Sequence, residues 1–184
     1  QVVGVYRLMT REDAASGRGF YTTSEYDLSP LLTSGRRLLE LGRSCLHPDY
    51  RGGAGMYHLW RGLSDVIDAE GIELLFGVAS FHGTDINRIA APLSLLHHMH
   101  LAPEDLRPRS TAHVPMDILP LDAIDRPAAV RATPALIKAY LRLGATIGDG
   151  AFVDHAFNTT DVCLIVDTSR LNARIRALYS GGRA

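Results

Sequence analysis

Three consecutive stretches decide the fold: Leu38 to Leu46 (LLELGRSCL), His47-Pro-Asp-Tyr50, and Arg51-Gly-Gly-Ala-Gly55. The first reads as a strand and the second as a turn. The third leads into a segment with Met56, Leu59, Trp60, Leu63 and Ile67 at helical spacing. Gly71 suits the left-handed residue that ends a helix, and Leu74 to Ser80 (LLFGVAS) follows as a buried strand. Strand, glycine-rich turn, helix and strand together predict a right-handed parallel crossover.

Upstream, Val2 to Met9 (VVGVYRLM) is rich in β-branched and aromatic residues and reads as a strand, with a loop after it. Downstream the pattern turns irregular. Ile86, Ile89, Ala90 and Leu93 suggest a helix weakened at Pro92, and a proline-rich stretch runs from Pro103 to Pro127. Residues 82–132 are therefore expected to be an insertion wrapped on the domain. Thr133 as N-cap and Pro134 in the first turn open a further helix with Leu136, Ile137, Tyr140 and Leu141 on its apolar face, ended by Gly144. Strands are expected at Ala145 to Val153 and Asp161 to Val166. This order gives a single α/β domain over residues 1–184, with a mixed sheet and flanking helices. The chain opens inside a strand-like run with no initiator methionine, so an N-terminally incomplete sequence is expected.

The 184 residues carry 19 Lys plus Arg against 20 Asp plus Glu, so no global field selects nucleic acid. No apolar run approaches the roughly 20 residues that span a bilayer, and no secretory leader pattern is present; a cytoplasmic protein is expected. Cys45 and Cys163 lie in apolar β-like runs, which suits reduced, buried thiols better than a disulfide or a nucleophile with a paired base.

A helix entered through Arg51-Gly-Gly-Ala-Gly55 presents free backbone N–H groups and a positive dipole end to an anion, and phosphate is the natural guest. A tight turn without a ligand would look the same at this level. The run His47-Pro-Asp-Tyr-Arg51-Gly-Gly resembles the phosphate-binding signature of the GNAT acyltransferase superfamily, and Tyr140-Leu-Arg-Leu-Gly144-Ala145 is similar to a later motif of the same superfamily. The resemblance implies a GNAT-like fold, with its first strands and helices missing before Gln1 and a long insertion after its fifth strand. Ala54 and Met56 stand where the superfamily carries glycines; they narrow the approach to a pyrophosphate and favour a donor with one phosphodiester.

A narrower resemblance covers most of the chain: Glu40 to Arg51, Ala79-Ser-Phe-His82-Gly-Thr-Asp85, Leu95-Leu-His-His-Met-His100, and Gly148-Asp-Gly-Ala-Phe-Val-Asp154 through Asn158 to Asp161. These stretches resemble the bacterial ornithine N-acyltransferases of ornithine lipid synthesis. That implies transfer of a 3-hydroxyacyl chain from acyl carrier protein to the α-amine of ornithine, with no resident cofactor and transient inner-membrane contact. Another amine acceptor, as in acyl-homoserine-lactone-synthase-like enzymes, or a non-catalytic acyl-carrier-binding domain stays open.

The resemblance assigns roles. Arg51, Gly52, Gly53 and Gly55 would hold the donor phosphate. Tyr140 would protonate the leaving thiolate, although its ring also suits the apolar face. Glu40 would take the proton of the attacking amine, unless it is an ion-pair partner of Arg43. Strand alternation separates Glu40, Gly42 and Ser44 from Arg43, and a bulge would bring Arg43 round to the donor, so Arg43 joins the catalytic set. Ser44, His82, Asp85, Asp154 and Asn158 would bind the acceptor, the aspartates meeting its second amine; Asp149 and Asp161 are further candidates, and loop capping is the alternative. Asn158, Thr159 and Thr160 also read simply as a hairpin turn. His97, His98 and His100 lie too close along one helix to suggest a complete ligand set, and no metal is expected.

Overall fold

The computed structural model describes residues 1–51 and 54–171. Eight strands and six helices follow in chain order: β1 (Gly4–Thr10), α1 (Arg11–Ser16), β2 (Tyr26–Asp27), α2 (Ser29–Thr33), β3 (Leu38–Leu46), α3 (Gly55–Glu70), β4 (Leu74–His82), α4 (Ala90–His100), β5 (Arg109–Ser110), α5 (Arg126–Ala132), α6 (Ala135–Arg142), β6 (Thr146–Ile147), β7 (Phe152–Asp154) and β8 (Thr159–Asp167). The main sheet has six strands in the order β1-β3-β4-β8-β6, with β7 also on β8, and β2 and β5 form a separate ribbon.

The sheet is mixed. β1 runs antiparallel to β3, β3 parallel to β4, and β4 antiparallel to β8 over nine residue pairs from Leu74↔Asp167 to His82↔Thr159. Alternation splits the central strands between two cores, as the period of two along a strand requires. Leu39, Leu41, Leu75, Leu164 and Val166 pack with Trp60 and Leu63 of α3 and with Ile137 and Tyr140 of α6. Leu38, Leu74, Phe76, Cys163 and Ile165 pack on the other face with Ala14, Phe20, Tyr26, Leu28 and Leu31. Both faces of β4 and β8 are thus covered, which explains their nearly continuous apolar sequences.

The loop expected between the first two strands is instead ordered structure. Thr10 and Asp13 form a reciprocal capping box at the start of α1: Asp13 N–H donates to Thr10 Oγ1 at 3.1 Å, and Thr10 N–H donates to Asp13 Oδ2 at 2.9 Å. The segment then supplies β2 and α2 and delivers Phe20, Tyr26, Leu28 and Leu31 to the second core.

Other expectations shift in detail. Ile86–Ile89 is a 3-10 turn, and Pro92 falls in the first turn of α4, where its missing N–H costs nothing. Pro134 caps α6, while Thr133 ends α5 and its hydroxyl donates to the Ala129 carbonyl at 2.9 Å. The strand expected over Ala145 to Val153 is two short strands around a turn that holds Gly150 at φ 79. Cys163 is buried as expected, but Cys45 is exposed.

Candidate functional site

β3 and β4 pair only from Leu38↔Leu74 to Glu40↔Phe76, although β3 continues to Leu46 and β4 to His82. Two local features part them. A Cβ on Gly77 would lie 2.2 Å from the Leu41 carbonyl oxygen, so only glycine allows the last close approach. One step on, β3 carries an extra residue against β1: Val5↔Cys45 and Arg7↔Gly42 leave two residues of β3 opposite Tyr6 alone, and Arg43 takes a left-handed φ of 53. Past Phe76 the edge of β4 that faces β3 has no strand partner among the described residues, which leaves its backbone groups open to a ligand.

A cavity of about 870 Å³ fills the gap. Gly42, Arg43, Ser44 and Cys45 of β3 form one wall, and Val78, Ala79, Ser80 and His82 of β4 the other. Arg51, Met56 and Trp60 close the end near α3; Tyr21, Asp154, Phe157 and Asp161 close the opposite end. A narrower recess at the apex of the split is lined by Tyr6, Leu41, Gly77, Leu136 and Tyr140.

The bulge brings Arg43 into this cavity, but toward the end away from α3 and not round to the donor end as expected. Its guanidinium lies 5.2 Å from the centre of the Tyr21 ring and 5.8 Å from that of Phe157, cation–π distances that fix it without consuming its N–H donors. Glu40 does not pair with Arg43. It is fully buried and accepts from Arg7 Nη2 at 2.8 Å, from Tyr21 N–H at 3.1 Å and from Thr22 N–H at 2.7 Å. The Arg7 guanidinium lies over Gly42, where a Cβ would be 2.6 Å from Nη2. Glu40 thus anchors the cavity wall from behind.

Tyr140 is buried against Trp60, ring centres 5.1 Å apart, and its hydroxyl hydrogen-bonds to that of Tyr6. Burial pushes the Tyr6 hydroxyl above the ordinary tyrosine value, so it stays protonated at neutral pH. The ring of Tyr140 fills the core, and the residue lines the recess.

At the donor end Arg51 lines the cavity while its Nε donates to the Leu46 carbonyl at 3.0 Å. α3 begins at Gly55 with no side-chain cap, so its first N–H groups remain available, and a Cβ on Gly55 would press to 3.0 Å against Leu46 and the Tyr50 carbonyl. Gly52 and Gly53 lie outside the described residues.

At the acceptor end the structure divides the expected set. Ser44, His82 and Asp154 line the cavity, as does Asp161. Asp85 does not: it is exposed and caps the 3-10 turn after β4, accepting from Asn87 N–H at 3.1 Å. Asn158 is exposed at φ 52 in the turn between β7 and β8, where its carbonyl receives Gly83 N–H at 2.9 Å. Both serve the loops that their residue types favour. Asp149 is paired with His113 and Arg109, both at 3.1 Å. Of the histidines on α4, His98 contacts the Leu119 carbonyl at 2.9 Å and burial lowers the His100 pKa.

Four residues here lay outside the sequence reading: Tyr6, Arg7, Tyr21 and Glu25. Glu25 joins Asp154 and Asp161, one carboxylate oxygen of each lying within 4.8 Å of the others. Desolvation, reinforced by Asp161, pushes the Glu25 carboxyl up to about 7, and desolvation raises Asp161 as well. The Thr10-x-x-Asp13 capping pair is a local signal that could have marked the helix preceding this segment, where a loop was expected; no local signal marks Glu25 itself.

Comparison with known proteins agrees with this architecture. A family model for the acetyltransferase (GNAT) domain matches residues 1–61. Three curated relatives are named L-ornithine N(alpha)-acyltransferase: one from Rhodobacter capsulatus, 57% identical over 98% of this chain and 70% of its own length; one from Brucella abortus, 44% identical over 97% and 65%; and one from Agrobacterium fabrum, 40% identical over 98% and 63%. The chain therefore spans about two thirds of the length of these relatives. No solved structure gives a significant match. With a parted parallel strand pair, a glycine-led helix beside it and 57% identity across nearly its whole length, the chain belongs to the L-ornithine N(alpha)-acyltransferase family of GNAT-fold enzymes.

Proposed function

We propose that the protein moves a 3-hydroxyacyl chain from the phosphopantetheine of acyl carrier protein to the α-amine of ornithine, giving lyso-ornithine lipid. The observation that carries this is the cavity between β3 and β4, which has a cationic and amide-bearing end at Arg51 and α3 and an acidic end at Asp154 and Asp161. The first suits the donor's phosphodiester, and the second suits the extra ammonium of a diamino acid.

In the reaction the α-amine nitrogen attacks the thioester carbonyl, and the C–S bond breaks as the amide forms. The Tyr140 hydroxyl, held by Tyr6, supplies the proton to the departing thiolate; the proton shed by the amine leaves to water in the open cavity, from which Tyr140 is reprotonated. Open backbone groups of β4 beyond Phe76 face the thioester and its developing oxyanion. Arg43, fixed by the bulge, meets the acceptor's carboxylate, while Glu40 holds Arg7 and the Tyr21–Thr22 backbone behind it, a positioning role. Ser44 and His82 complete the acceptor wall.

Ala54 at the α3 cap and Met56, which lines the cavity, favour the carrier-bound donor over coenzyme A by narrowing the pyrophosphate cradle. No described helix is long and apolar enough to cross a membrane. We place the protein in the cytoplasm, touching the inner membrane transiently to release its lipid product.

The test is a mass-spectrometric assay of the full-length protein with 3-hydroxyacyl-acyl carrier protein and ornithine. Nα-acyl-ornithine is the expected product, and Tyr140→Phe lowers kcat about 100-fold with little change in KM. Transfer only to another amine replaces the acceptor; donor binding without transfer to any amine replaces catalysis with carrier binding.

A further inference from the structure

Beside the two aspartates that line the acidic end of the cavity stands a third carboxylate, Glu25. Glu25 is 3% exposed and Asp161 is 4% exposed, yet Glu25 Oε2 and Asp161 Oδ1 are buried with no hydrogen-bond partner. An unpaired buried carboxylate oxygen costs several kcal/mol, and two of them side by side repel as well. Such an arrangement persists when a cation arrives to satisfy it.

We propose that Glu25, Asp154 and Asp161 form the seat of the acceptor's side-chain ammonium, and that Glu25 is the residue that makes the enzyme demand a diamino acid. This rests on the acyltransferase reading above and deepens it. An ammonium has three N–H donors, and the seat offers three carboxylate oxygens within 4.8 Å of one another. A divalent metal fits less well. Calcium takes six to eight oxygen ligands and magnesium keeps several waters in octahedral geometry, whereas the adjacent cavity lining is aromatic, from Tyr21 and Phe157. The guanidinium of Arg43 lies over the same two rings, so an amino acid bound here meets a cation for its carboxylate and carboxylates for its far amine.

Regiochemistry follows from the same charges. Carboxylates around an ammonium hold its proton, and a protonated amine is no nucleophile. The side-chain amine in the seat is therefore silenced, and the α-amine, outside it, is left to react. Burial, reinforced by Asp161, raises Glu25 to about 7, and an ammonium in the seat favours its charged form. Tyr21, Asp154 and Asp161 are the titratable groups that face Glu25, and Arg43 faces Tyr21.

Norvaline, which has ornithine's carbon skeleton without the terminal amine, tests this in the full-length protein with saturating 3-hydroxyacyl-acyl carrier protein. Wild type favours ornithine over norvaline by about 100-fold or more in kcat/KM. Glu25→Gln and the half-buried Asp154→Asn cut that preference at least about tenfold, through ornithine's KM. An unaltered preference in folded variants that still acylate ornithine overturns the proposal and leaves the function standing. If wild type acylates neither acceptor, the function falls, and calorimetric binding of ornithine against norvaline reads the seat directly: equal affinities overturn it. Manganese alone binding wild type and losing that affinity in Glu25→Gln, with ornithine selectivity untouched, marks a divalent cation seat and also overturns it.

Discussion

Glu40 shows how a single residue's role depends on its neighbours. Its three donors, from Arg7 and the amides of Tyr21 and Thr22, make it a structural anchor that shapes the wall of the cleft. Glu40→Gln keeps the shape but removes the charge that faces Arg7. It should cost about 3 kcal/mol in urea unfolding, at the lower end for a buried pair because Arg7 is 31% exposed. Glu25 carries a prediction with pH. Its carboxyl is raised from 4.5 to about 7, so the folded state holds that proton more tightly than the unfolded chain does. Stability contributed this way is full below pH 4.5 and is lost as pH climbs through 7. Thermal melts from pH 5 to 8 should fall with rising pH in wild type and flatten in Glu25→Gln. Glu40 was legible as a candidate because its motif was; Glu25 was not, because its meaning comes from partners more than 120 residues away, at Asp154 and Asp161.

Among elements, the β3–β4 pair controls the site. The backbone contact at Gly77 and the bulge at Arg43 convert two strands that begin in register into the walls of a cavity. Gly77→Ala must push the Leu41 carbonyl aside and should destabilise by about 2 kcal/mol or more, read as a lower urea midpoint at unchanged m-value. The crossover through α3 was legible in sequence because a strand, a glycine turn and an amphipathic helix each leave a local pattern. The short α1, β2 and α2 were not: at two to six residues each, they show too little periodicity to read. The bulge was raised only through the resemblance, since no residue type demands it.

At the scale of the molecule, the sheet separates two cores and opens between them at one place, so ligand binding is coupled to stability of the whole fold. A phosphopantetheine thioester at about 100 times its Kd should raise stability by about 2.7 kcal/mol, seen as a higher Tm. Arg51→Ala should shrink that shift at the same concentration while leaving the unliganded Tm nearly unchanged, because the side chain is exposed and makes one backbone hydrogen bond.

The sequence by itself determined the α/β class, the parallel crossover, the glycine-led helix and the burial of β4, because each is written in local periodicity or in turn chemistry. Only the tertiary structure decided which candidates share a cavity. It brought Arg43, Ser44, His82, Asp154 and Asp161 together with Tyr21, gave Asp85 and Asn158 to loops, and tied Glu40 to Arg7. Sequence spacing fixes which face of its own strand or helix a side chain takes; which other strand stands opposite depends on register and on one extra residue in a bulge, and these the long-range packing sets.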